Sequence, residues 1–267
     1  MGKKFNEVCS LKNLTIAYKI GLKKRSRHGL DDISWSDIER NSDEFIQKLR
    51  EELISGEFFP SLFATETKTY KCGLKNKVIT YNVLNIKERV IEYAIKEVLY
   101  PLYEKIFLPF SCAYRVGKYE KYLKQLVNTA LIEGFFYFVS VDIKSFFGSI
   151  DQKILISEIS DFIKDEKLVI LISRCIFLNN KKIGIMPGHV LSPLLSNIFL
   201  HPVDTELKEI KVIRYADNFF FPQKDSYGWF EKVELISNLL QKRNLQLNKE
   251  KTKILINPNP ERILLDD

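Results

Sequence analysis

Residues 213–221 read Ile213-Arg214-Tyr215-Ala216-Asp217-Asn218-Phe219-Phe220-Phe221, with β-branched and aromatic side chains on both sides of a single acid. Two apolar strands that meet at a short polar step predict a tight hairpin with Asp217 on its turn. Such a turn can hold a metal ion. A second segment, Phe138-Val139-Ser140-Val141-Asp142-Ile143-Lys144-Ser145-Phe146-Phe147, predicts a strand that ends on a lone carboxylate before an aromatic pair. Taken singly, each acid has an ordinary reading: Asp is a good turn residue, and a strand-end acid is often a helix cap. Taken together, two strand-borne carboxylates far apart in sequence are what two-metal phosphoryl transfer requires.

Composition sets the bounds. The chain has 267 residues, 45% of them hydrophobic, so it can bury a sizeable core as one globular unit of two closely packed subdomains. Its 41 Lys and Arg against 34 acids give a formal charge of +7, which favours a polyanionic partner. Part of the excess gathers at Lys23, Lys24, Arg25 and Arg27, read as either a solvated loop or a phosphate-backbone contact. Four widely spaced Cys, with no Cys-x-x-Cys pair, and three His argue against a zinc site or a disulfide framework. No signal-peptide pattern opens the chain and its apolar runs are too short for a membrane span, so the expectation is a cytoplasmic, reduced protein without a membrane partner.

Periodicity places the motifs. Phe45, Ile46, Leu49, Leu53 and Ile54 predict a helix over 42–55, capped by Ser42 and stopped by Gly56. The stripe Val90, Ile91, Ala94, Ile95, Val98, Leu99 and Leu102 predicts a buried amphipathic helix over 87–106. A hairpin around Asn76 is expected over 71–83. A strand over 137–143, a helix from about 151, a helix opened by Ser192-Pro193 and a helix over 229–242 complete an α+β alternation.

Four blocks follow in order: the segment around Asp142; residues 184–200 with Pro187-Gly188-His189-Val190-Leu191-Ser192-Pro193; the hairpin around Asp217; and Leu245-Gln246-Leu247-Asn248-Lys249-Glu250-Lys251. In that order and spacing they resemble palm motifs A to D of prokaryotic reverse transcriptases. Residues 84–92 and 107–118 resemble the fingers of the group II intron, diversity-generating and defence-associated branches.

The resemblance implies a right-hand polymerase fold of the α+β class, with palm and fingers, an antiparallel palm sheet packed on helices, and a thumb absent or truncated. The divisions it implies are an N-terminal helical extension (1–60), fingers (61–130), palm (131–256, with a fingers-derived insertion around 155–185) and a short tail (257–267). Asp142 and Asp217, with the Ile143 carbonyl and Asn218, are then ligands of two Mg²⁺ or Mn²⁺ ions about 4 Å apart. Lys251 is placed to protonate pyrophosphate. Phe147 lies under the sugar of the incoming dNTP and excludes a 2′-hydroxyl, although it and Phe146 also read as core. Gly188 lets the backbone approach template or nucleotide. Lys77 and Arg89 are nucleotide contacts, and Arg115 and Lys118 are template contacts or a solvated loop.

The chain also departs from that pattern. Asn218 replaces a second acid, Pro187 replaces a glutamine, and Ile79 stands where an arginine would grip the triphosphate. The expected partners are an RNA, as template or noncoding RNA, the DNA product, dNTPs, and a partner subunit or second copy in place of the thumb. Two readings follow: a specialised DNA polymerase of antiphage defence, RNA-directed or template-independent, or a catalytically inactive scaffold subunit that binds nucleic acid.

Overall fold

The computed structural model describes residues 2–25, 27–61, 64–72, 75–176 and 182–264. They form two compact units, one of Met1–Tyr103 with Gln152–Leu195, the other of Glu104–Asp151 with Ser196–Asp267. The chain thus leaves each unit once and returns to it. Compactness does not follow the expected linear divisions: residue 130 falls inside a helix that belongs wholly to the second unit.

The chain begins in the first unit with α1 (Lys3–Val8), α2 (Leu11–Lys24), α3 (Trp35–Glu39) and α4 (Ser42–Ser55). Asp165, itself buried, accepts the backbone N–H groups of Lys4 and Phe5 at 2.8 and 2.9 Å, placing a carboxylate on the donors that open α1. Ser34 and Asp37 form a reciprocal capping box on α3. The α4 helix has the predicted span, with Asn41 rather than Ser42 in the cap position and Gly56 closing it at a φ of 77°.

Strands β1 (Ala64–Cys72) and β2 (Lys75–Val83) pair antiparallel, with Cys72 opposite Lys75. Asn76 pairs with Lys71 inside the ladder, so it is not the centre of the hairpin as expected. Next, α5 (Ile86–Glu104) buries the predicted stripe, including Val90, Ile91, Ala94, Ile95 and Leu99.

The second unit contributes α6 (Glu120–Ile132), β3 (Tyr137–Asp142) and α7 (Phe146–Ser149). The chain returns to the first for α8 (Gln152–Ile163) and α9 (Glu166–Ile176), and α10 (Ser192–Glu206) runs from the first into the second. Strands β4 (Ile213–Tyr215) and β5 (Asn218–Gln223), helix α11 (Trp229–Gln241) and strand β6 (Lys253–Ile256) follow in the second unit. Its sheet has the order β4-β5-β3-β6, antiparallel throughout.

Both faces of β5 are covered, which explains its unbroken apolar run: Phe219, Phe220 and Phe221 are all fully buried. Phe219 and Phe221 stack on one face with ring centroids 6.5 Å apart. Phe220 points to the other, into a core of Cys112, Leu123, Val127, Phe138 and Ile213. The polar ends limit the register, because a one-residue slip would carry half-exposed Asn218 or Gln223 into the buried stretch.

Candidate active site

Register brings the predicted acids together. The last residue of β3, Asp142, lies opposite the first residue of β5, Asn218, so their side chains emerge on one face of the sheet. Asp217 and Ala216 form the two-residue turn between β4 and β5, whose ladder closes on the pair Tyr215 and Asn218. Ala216 takes a φ of 55°, a left-handed conformation that a non-glycine residue adopts only when its surroundings enforce it.

Residues 246–248 hold the end of β3 from the side opposite the hairpin. Lys144 donates its backbone N–H to the Gln246 carbonyl at 2.9 Å, and Asn248 donates to the Asp142 carbonyl at 2.8 Å. Those two bonds flank the Ile143–Leu247 bridge, so the Ile143 carbonyl is directed away from this segment, to the hairpin side. The Asp142 carboxylate is almost buried and doubly held. The Asn248 amide donates to Oδ1 at 3.0 Å, and the Lys251 ammonium, itself 43% exposed, meets Oδ2 at 3.1 Å. Asn248 was not singled out in the sequence, where it lies in a polar run that reads as a solvated face.

Among the described residues, no group of three or more His, Cys, Asp or Glu is placed to hold a metal ion. What the second unit offers instead is two carboxylates and an amide. The Asn218 Oδ1 atom is buried with no hydrogen-bond partner, an orphaned acceptor in register with Asp142 and next in sequence to Asp217. Two carboxylates with a neutral oxygen fit a hard divalent cation such as Mg²⁺ or Mn²⁺.

The aromatic pair divides its work. Phe146 is core, and Phe147 is half-buried, with its ring edge-on to both Phe146 (5.7 Å) and Tyr114 (6.5 Å). Tyr114 was not expected at the site. The residue is 42% exposed, yet desolvation of its phenol, followed by the negative charge of nearby Asp217, raises its pKa to about 12. Its φ of 62° is a further local outlier beside the carboxylates.

One expected contact is corrected. Arg115, read as a template-side residue, is 1% exposed and fully engaged. Its guanidinium forks onto Glu104 at 2.7 and 2.9 Å and donates to the carbonyls of Phe107, Leu108 and Ser111. It organises the loop that precedes α6. Lys118 stays half-exposed, its ammonium 5.7 Å from the Tyr122 ring centre and its pKa lowered first by burial and then by the charge of Arg115.

The other candidates belong to the first unit. Gly188 is exposed at a φ of 95°, where a side chain would be strained. The loop after it is pinned by Glu92 of α5: this buried carboxylate meets His189 Nδ1 at 2.7 Å and accepts the N–H groups of Val190 and Leu191. Arg89 is also buried, in the field of Asp31, Glu88 and Glu66, and does not stand open to a nucleotide. Lys77 pairs with Tyr70 in the β1–β2 ladder, and its side chain lies outside the described residues. Lys23, Lys24, Arg25 and Arg27 are exposed at and beyond the end of α2, with Arg27 bonded to Glu66 at 2.6 Å and Arg25 within 3.8 Å of Glu39. No described helix is long and apolar enough to cross a membrane.

Comparison with known proteins agrees with this geometry. A family model described as "Reverse transcriptase (RNA-dependent DNA polymerase)" matches residues 73–264. The group II intron-encoded protein LtrA of Lactococcus lactis is 27% identical over 234 residues, covering 80% of this chain and 36% of LtrA. The protein YkfC of Escherichia coli is 23% identical over 235 residues, covering 83% of this chain and 59% of YkfC. The chain therefore spans less than two thirds of either relative. Among solved structures, apo telomerase from Candida tropicalis superposes with a TM-score of 0.50 at 14% identity, over 80% of this chain and 49% of that one. A partial Cas6-RT-Cas1–Cas2 complex gives 0.50 at 18% identity, over 89% of this chain and 41% of that one. These likenesses identify the fold as the palm and fingers of a polymerase.

Proposed function

The chain belongs to the reverse transcriptase (RNA-dependent DNA polymerase) family, and from that premise we propose that it is an active nucleotidyltransferase that extends DNA with dNTPs on an RNA template. The observation that carries this reading is the alignment of Asp142 with Asn218 across β3 and β5, the turn acid Asp217 beside them, and an orphaned Asn218 oxygen. Asp142, Asp217, Asn218 and the Ile143 carbonyl would hold two divalent ions. When bound, these supply the positive charge that lowers the pKa of the primer 3′-hydroxyl and neutralises the leaving pyrophosphate.

The residues of the chain do the rest. Lys251 holds Asp142 through its ammonium and would be the proton donor for the leaving pyrophosphate. Phe147, braced edge-on by Tyr114 and Phe146, presents a fixed ring to the sugar. Gly188 provides a Cβ-free backbone, and Glu92 fixes the loop that follows it. Lys118 and the run from Lys23 to Arg27 are the exposed cations for a nucleic-acid backbone. The working partners are an RNA, its DNA product and a protein partner, in antiphage defence.

A scaffold without catalysis is the competing reading, favoured by the loss of the second acid at 218. One experiment separates them: incorporation of labelled dNTPs by purified protein with Mg²⁺ or Mn²⁺ and its co-purifying RNA, beside Asp142→Asn and Asp217→Asn. Product that vanishes in both variants establishes the polymerase. No product from the unaltered protein, with nucleic-acid binding equal in all three, establishes the scaffold.

A further inference from the structure

Residue 214 is an arginine inside the apolar hairpin strand β4, and none of the chemistry above uses it. Its side chain is completely buried, and all five of its N–H donors have partners. Nε and Nη2 fork onto the Asp204 carboxylate at 2.7 and 2.6 Å. Nη2 also donates to Ser111 Oγ at 2.7 Å, and Nη1 donates to Asn197 Oδ1 and to the Ala216 carbonyl, both at 2.9 Å. The acceptors are as buried as the donor: Asp204 and Ser111 are at 0% exposure and Asn197 at 1%. Asn197 and Asp204 lie seven residues apart on α10, two turns along one face, and Asn197 is itself steadied by donating to the Ala113 carbonyl at 2.9 Å. Backbone bonds from Arg214 N–H to Phe110 and from Cys112 N–H to Arg214 fix the same residue from the other side.

The bond to Ala216 is the informative one. That carbonyl belongs to the planar peptide unit that also contains the N–H and Cα of Asp217. Fixing its oxygen fixes the plane from which the Asp217 side chain springs, at a turn whose alanine is held at a positive φ. We propose that Arg214, clamped by Asp204 and Asn197, is a positioning residue: through the Ala216 carbonyl it sets the direction of the Asp217 carboxylate, and with it divalent-metal affinity at the hairpin tip. The metal part rests on the function proposed above, whereas the positioning part does not.

The test needs a variant that keeps the fold. A buried ion pair can often be replaced by apolar residues of similar volume without loss of stability, so Arg214→Met with Asp204→Leu is the first choice. Arg214→Lys, which keeps a cation for Asp204 but cannot reach all its acceptors, is the second. Two readouts are taken on folded protein without nucleotide: the backbone amide NMR signals of Ala216 and Asp217, and Mn²⁺ affinity by electron paramagnetic resonance. The expected result is displaced or broadened amide signals at the tip and Mn²⁺ binding weakened by about tenfold or more, the scale on which loss of a partner behind a ligand acts. In an Asp217→Asn background, the same substitutions should weaken Mn²⁺ binding no further. Unchanged tip signals in either folded variant overturn the positioning role. Displaced tip signals with wild-type Mn²⁺ affinity overturn the link to metal. Equal Mn²⁺ affinity in the unaltered protein and in Asp217→Asn overturns the metal site itself, and the amide signals then decide positioning alone.

Discussion

Arg115→Ala separates an internal anchor from a nucleic-acid contact, because the two roles change different observables. The guanidinium is 1% exposed and serves Glu104 together with the carbonyls of Phe107, Leu108 and Ser111. Truncation removes this donor from the Phe107 and Ser111 carbonyls, where its bonds are buried, at about 1 kcal/mol or more for each, while the part-buried Leu108 carbonyl keeps the Ser111 N–H. It also strands the Glu104 carboxylate, which is 29% exposed and so partly rescued by solvent. The cation over the Phe107 ring, 5.4 Å from its centre, is lost as well. The expected loss is about 3–5 kcal/mol, the usual result of removing one partner of a buried ion pair.

Urea unfolding should be followed through Trp229, the tryptophan of the second unit, in a Trp35→Phe background that silences the other of the two. In parallel, binding of a fluorescent single-stranded RNA is measured against salt. An anchor loses stability while the slope of log affinity against log salt stays the same among the molecules that remain folded. A phosphate contact does the reverse: stability holds within about 0.5 kcal/mol and the slope falls by about 0.7. That second pattern would refute the reassignment of Arg115.

Three further outcomes are expected. Asn218→Asp places a second carboxylate directly opposite Asp142, which should lower metal-free stability by about 0.2–1 kcal/mol yet raise Mn²⁺ affinity; calorimetry with and without Mn²⁺ checks both, and a variant more stable without metal contradicts the register. Phe147→Ala should reduce the preference for dNTP over rNTP by about tenfold or more, read as a ratio of kcat/KM, while Phe146→Ala, a core truncation, should lower stability by about 3–5 kcal/mol. Burial pushes the thiols of Cys9 and Cys112 up to about 12. Such groups ionise more readily in the unfolded chain, so their contribution to stability is full below about pH 9 and is lost as pH rises toward 12; a stability curve flat across that range would contradict their burial.

Much of the palm was readable because its sequence is over-determined. The run Phe219 to Phe221 is bounded by the half-exposed Asn218 and Gln223, so a shifted register would bury a polar end, and Asp217 is left on the turn. The α5 stripe likewise located a helix to within two residues at each end. The β1–β2 hairpin was less legible. Along β1, Thr65, Thr67 and Thr69 alternate with Glu66 and Lys68, a polar pattern that suits either face and sets the position of the turn only weakly. The least legible residues are the charged ones that turned inward. Arg115 sits in a polar turn where a solvated side chain is the ordinary expectation, and only the fold brings five acceptors around it. Arg214 did carry a signal, a charge between Ile213 and Tyr215 in a run with no other use for one. Its partners at 197 and 204 are visible as a pair only once α10 exists.

Charge at the sheet edge connects these residues to the family departure at 218. Asp142 and Asp217 carry two negative charges and Lys251 one positive, so the three sum to −1 in the protein alone; an acid at 218 would make the sum −2. At −2, two facing carboxylates repel in a nearly buried site until cations arrive. At −1, the Lys251 ammonium and the Asn248 amide between them satisfy Asp142, and the site is stable as it stands. If the site works as proposed, the weaker pull on metal would be offset by ions that arrive with a polyanionic triphosphate, which supplies the missing negative charge from the substrate side. On the function proposed above, Asn218 would therefore move the dependence of metal binding from the protein to the nucleotide. A chain of this kind should show Mn²⁺ affinity that rises with bound nucleotide more steeply than in its Asn218→Asp variant, and equal coupling in the two would mean that the amide takes no part in the site.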